Sequence, residues 1–141
     1  MNPVVAIDAS LMLTQAIGTS DPGFIKLNGL FRKKEFLDAI EADPETLTVI
    51  LKSLVEGNIL QASDTMTQNG TRLVIENTEK GLRREYYFFQ DTEKNFRFYE
   101  YPGQAGQNPE IKNFSVEDMA LEMYHSITAE DASISFVKAL E

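Results

Sequence analysis

Cysteine is absent from this chain, which excludes disulfides and thiolate metal sites and leaves the apolar core to hold the fold. Histidine is reduced to His125 alone, so a nucleophile and base would need that residue with a serine, and there is no G-x-S-x-G elbow to support one. There is no glycine-rich phosphate loop, zinc motif or dinucleotide fingerprint, so neither cofactor nor metal is expected. No apolar run approaches the roughly 18 residues of a membrane span. The opening MNPVVAIDASLMLTQAIG lacks the basic start of an export signal and carries Asp8 inside its apolar part. A soluble cytoplasmic protein without a membrane partner is the expectation. Basic residues are also scarce. Lys and Arg number 13 against 22 Asp and Glu, for a net charge of −9, and from Glu100 onward eight acids face two bases. A surface of that sign repels nucleic acid phosphates and anionic membranes at long range, so nucleic acid is not an expected partner.

Aromatic residues are abundant in one place. The stretch RREYYFFQDTEKNFRFYEYP sets Tyr86, Tyr87, Phe88, Phe89, Phe96, Phe98, Tyr99 and Tyr101 in two short runs around a polar turn. These read as two strands of a hairpin, and successive side chains of a strand point to opposite faces. Tyr86 and Phe88 therefore oppose Tyr87 and Phe89, and Phe96 and Phe98 oppose Arg97, Tyr99 and Tyr101. With the phenylalanine-rich sides under helices, Tyr87, Tyr99 and Tyr101 are left as a surface, and tyrosine is enriched in protein interfaces.

At 141 residues the chain fits one domain, with a polar loop over 102–113 set before a C-terminal helical unit. Apolar spacing predicts a helix over 4–17, a turn over 18–23 and a short helix over 33–42. Residues 24–31 are apolar without a clear period. Asp43 and Pro44 then open a helix in which Leu47, Ile50, Leu51 and Leu54 fall at i, i+3, i+4 and i+7, with Gly57 placed to end it. The period next shortens to two, predicting strands over 59–66, 71–77, 84–90 and 95–101, with a tight turn at Asn69-Gly70 and a longer one over 77–81. Ser115 and Asp118 make a capping pair for a last helix, where Val116, Met119, Ala120, Met123, Tyr124 and Ile127 form an apolar stripe. Residues 133–140 suit strand and helix equally. The fold class is α+β: N-terminal helices, a central antiparallel meander of three to four strands, and a C-terminal helix packed on the sheet.

Two carboxylate pairs, Glu117 with Asp118 and Glu130 with Asp131, could serve acid–base chemistry in a small hydrolase. Both sit near predicted helix starts, where the helix dipole favours them without any catalysis. Met119 and Met123 are a second candidate contact surface, since methionine adapts to irregular partners.

The segment KKEFLDAIEADPETLTVILKSLVEGNIL followed by QASDTMTQNGTRLVIENTEKG resembles a winged helix over residues 33–78. That resemblance implies a regulator whose second helix enters the major groove. Here that helix would present Glu45, Thr46, Lys52, Ser53 and Glu56, one base against two acids, which favours a protein-binding form. A DNA-binding form would instead gather Lys26, Arg32, Lys33, Lys34, Arg83 or Arg84 beside it. The order of elements over roughly residues 11–127 is similar to one half of the EspG-type chaperones of type VII secretion, which implies a sheet presented to a client protein. The reading that follows is a non-catalytic protein-binding module, an adaptor or secretion-type chaperone, bound to a partner protein or to itself through Tyr87, Tyr99, Tyr101, Met119 and Met123, with no small-molecule substrate.

Overall fold

The structure is a computed structural model and describes residues 24–63, 69–101 and 113–138. In chain order its elements are α1 (Ile25–Leu30), α2 (Lys34–Ala42), α3 (Glu45–Glu56), β1 (Thr71–Asn77), β2 (Leu82–Gln90), β3 (Phe96–Glu100), β4 (Asn113–Ser115), α4 (Val116–Ala129) and β5 (Ser133–Lys138). The helix expected over 4–17, the turn after it and most of the loop over 102–113 lie outside the described residues.

Local signals set the helix ends. Asp43 Oδ1 accepts from the Glu45 backbone N–H at 3.1 Å, relieving one of the donors that a helix start leaves without a partner. The Leu47, Ile50, Leu51 and Leu54 stripe is wholly buried. Gly57 caps the end of α3 at an ordinary φ, and the left-handed residue is its neighbour Asn58, with φ 56°. In α4 the Ser115 hydroxyl accepts from the Asp118 N–H at 3.1 Å, the capping bond that the spacing predicts.

The sheet is antiparallel throughout its named strands, in the order β4-β3-β2-β1-β5. β1, β2 and β3 are the last three strands of the expected meander; β4, three residues just before α4, is a strand the sequence reading did not anticipate, and β5 returns to lie beside β1. The chain is thus an α+β protein whose C-terminal helix packs on the sheet. Leu73, Ile75, Tyr86, Phe88, Phe98, Ile134 and Phe136 form one face and share a single core cluster with buried apolar residues of the four described helices.

Two expectations change on meeting the fold, and two segments left open take definite form. Within the described part of 59–66 there is no strand, only one bridge between Ser63 and Phe89. Ile59 and Leu60 still donate back to Leu54 O of α3, and Gln61 exchanges bonds of 2.8 Å with Thr71. Asn69-Gly70 is therefore no two-residue hairpin turn. Gly70 is packed so closely that an added Cβ would lie 2.3 Å from Gln61 O and 2.5 Å from Ser63 N, a reason for glycine there that involves space alone. The ambiguous 24–31 segment forms α1, and 133–138 forms a strand because β1 offers it a continuous ladder from Glu76 to Thr71.

Candidate protein-binding face

The other face of the sheet carries no described helix. A row runs across all five strands at matched register: Val137 of β5, Arg72 of β1, Tyr87 of β2, Tyr99 of β3 and Asn113 of β4. Cross-strand neighbours on one face are in contact range, and the rings make use of it. Tyr87 and Tyr99 stack at 5.7 Å between centroids, and Phe89 meets Tyr99 edge-on at 4.8 Å. Arg72 lies 4.8 Å above the Tyr101 ring, a cation–π contact, and donates to Glu85 at 3.2 Å. Arg83 pairs with Glu76 at 2.9 Å and with Glu85 at 3.4 Å. Among the described residues Arg97, opposite Phe89, bonds the neutral Asn113 side chain alone.

The tyrosines selected from sequence share this face but not its exposure. Tyr101 is 36% exposed and Tyr99 half-buried, while Tyr87 is only 6% exposed and lies beneath its neighbours' reach as a support for Tyr99. Met119 and Met123 are 0% exposed core residues of α4, so they offer a partner no contact surface; the helical stripe that suggested them is the stripe that buries them. Arg72 and Val137 (37% exposed) were not singled out from sequence, because only cross-strand register brings them beside the rings, whereas Arg97 follows from the alternation that also sets Tyr99 and Tyr101 on this face.

Beneath the sheet, the core-facing Arg84 reaches α4. Its guanidinium lies 2.6 Å from Glu122, 2.9 Å from Ser126 Oγ and 2.6 Å from Glu130. Burial works against its charge, but Tyr86, Glu122 and Glu130 outweigh that and hold it above the ordinary arginine value. Glu130 is thus committed to a structural pair, and Asp131 takes the left-handed turn at φ 51° after the helix. Glu117 approaches Lys52 at 3.8 Å, and Asp118 occupies the first turn. Lys34 pairs with Asp38, Arg83 with Glu76, and Arg84 with Glu122 and Glu130. His125 is exposed on α4.

Between α3, the start of β3 and the start of α4 lies an open cleft of about 500 Å³ lined by residues including Lys52, Phe96, Arg97 and Glu117, with both charge signs on its walls. Among the described residues no group of three or more His, Asp or Glu is arranged to hold a metal ion, and no helix is long and apolar enough to cross a membrane.

Tyr86 carries an expected pH dependence of stability. Burial is the main cause that pushes its phenol up to about 12, and the nearby Arg84 opposes the rise. An acid whose folded pKa exceeds its unfolded value of about 10 stabilises the fold fully below pH 10 and loses that contribution as pH climbs through 12. Unfolding free energies measured by denaturant from pH 9 to 12 should therefore fall about 2–3 kcal/mol further in the wild type than in Tyr86→Phe. Parallel curves for the two proteins would contradict this assignment.

Compared with protein-family models, curated proteins and solved structures, the chain matches none.

Proposed function

We propose that this chain is a non-catalytic protein-binding module, an adaptor or secretion-type chaperone of the cytoplasm, that offers the sheet face carrying no described helix to a partner protein. The observation that carries this reading is the five-strand row from Val137 to Asn113, with a tyrosine–phenylalanine cluster at its centre and Arg72 and Arg97 at its sides. Tyrosine and arginine dominate binding hot spots because each combines a broad apolar surface with a polar end. The packed rings are also held before any partner arrives, which reduces the side-chain entropy lost on binding.

Affinity capture from native lysate, followed by titration with the captured partner, tests the reading. A Tyr99→Ala, Tyr101→Ala double variant should bind at least about 30-fold more weakly, the effect of losing roughly 2 kcal/mol of hot-spot contact. Circular dichroism must show the variant folded. Because Tyr99 also supports Tyr87, an Arg97→Glu, Tyr101→Glu variant keeps the stacked pair and should weaken binding in the same direction. A partner held equally by wild type and both variants would remove this face from consideration.

A further inference from the structure

Among the described residues β5 stands at one edge of the sheet and pairs with β1 alone. Its middle residue, Phe136, nevertheless has both backbone groups bound on the outer side. The Phe136 N–H donates to Asn28 Oδ1 at 2.7 Å, and Asn28 Nδ2 donates to Phe136 O at 2.8 Å. In an antiparallel ladder, the N–H and C=O of one residue point to the same side, and successive residues alternate. Phe136 therefore turns its backbone away from β1, as do Ile134 and Lys138, while Ser133, Ser135 and Val137 turn theirs toward it. A carboxamide carries the donor and acceptor of a peptide group. Asn28 thus stands where a residue of a sixth strand would stand.

The element that delivers it is slight. α1 has six residues, too few for a helix to persist without tertiary support. It enters through Phe24 at φ 60° and leans on β5 through rings: Phe24 lies 6.1 Å and Phe31 5.9 Å from the Phe136 ring. Sheet edges are ordinarily guarded by proline, by charge, by a bulge or by brevity. β5 has no proline and no bulge, is charged only at its last residue, Lys138, and its six residues pair with β1 without interruption. The guard comes instead from a residue 108 positions earlier in the chain.

We propose that the outer edge of β5 is a strand-docking seam kept closed by Asn28, and that its occupant once Asn28 is withdrawn is β5 of a second copy of this chain. The strand suits its own image. Antiparallel pairing about a two-fold axis through Phe136 sets Ile134 against Lys138 and repeats every contact, as a closed dimer requires, and brings no like charges opposite one another. The inference stands independently of the partner-binding reading, since it concerns an edge and not a face.

Sedimentation velocity across the micromolar range tests it with four proteins. The wild type is expected to be monomeric, and Asn28→Ala to double in mass as concentration rises. Lys138→Pro removes one outward N–H without touching the ladder to β1, so Asn28→Ala, Lys138→Pro should return to a monomer. Asn28→Asp, which keeps the shape and the acceptor but loses the donor to Phe136 O, serves if the alanine variant does not fold, and should also dimerise. A wild type already dimeric, a folded position-28 variant that stays monomeric, or a dimer indifferent to Lys138→Pro would each overturn the proposal.

Discussion

Phe98→Ala is expected to lower the unfolding free energy by about 3–5 kcal/mol, a large part of the roughly 5–15 kcal/mol that holds a domain of this size. Phe98 is 0% exposed, sits on β3 between β2 and β4, and meets Phe88 at 5.3 Å beneath α4. Truncation removes its transfer energy and leaves a cavity that strands fixed on both sides cannot close. The control is Phe96→Ala. Phe96 shares the strand, the face and the contact with Phe88, at 5.1 Å, but is 37% exposed at the rim of the open cleft. Its loss should cost about 1 kcal/mol, in keeping with an ordinary partly exposed substitution. Urea titrations followed by circular dichroism separate the two. Equal losses would mean that the core does not lie where the sheet register places it.

The second large effect is expected at Arg84. Replacing it by alanine leaves Glu122 and Glu130, each 2.6 Å from the lost guanidinium, facing one another across a partly buried space. Removing one partner of a fully buried pair costs about 3–5 kcal/mol; because these carboxylates are 30% and 38% exposed, water screens part of the penalty, and about 2–3 kcal/mol is expected. The cause can be separated from lost packing. An Arg84→Met, Glu122→Leu, Glu130→Gln variant removes the charges together and should recover most of the wild-type stability, since an ion cluster exchanged for apolar volume is often neutral. If the triple variant is as unstable as Arg84→Ala, the cluster contributes through its hydrogen bonds to α4 rather than by neutralising charge.

Much of the candidate face was legible before the fold. The strict alternation in EYYFFQ and NFRFYEY divides the rings between two faces, and the structure places Phe88 and Phe98 inward and Tyr87, Tyr99 and Tyr101 outward as that alternation requires. It could not distinguish Tyr87 from Tyr101. Both are tyrosines of one face, but one lies in the middle of β2 between two partner strands and the other just beyond the end of β3. Nor could it find Arg72 or Val137, which reach the rings only through the pairing of β1 with its neighbours on both sides. Met119 and Met123 show the converse limit. A stripe on a helix says that something covers it, and only packing says that the cover is the chain's own core.

The sequence by itself determined the elements whose signals are local: the α3 stripe and its Asp43 cap, the Ser115 cap of α4, the period of two in β1 to β3, and hence the α+β class. These depend on bonds and side-chain spacings within a few residues. Tertiary structure decided what depends on partners far along the chain. Residues 133–138 became a strand because β1 had an edge to fill, and residues 59–63 did not because their backbone groups were drawn to α3, Thr71 and β2. Asn28, an ordinary polar residue in a short helix, acquired its place only when Phe136 arrived beside it.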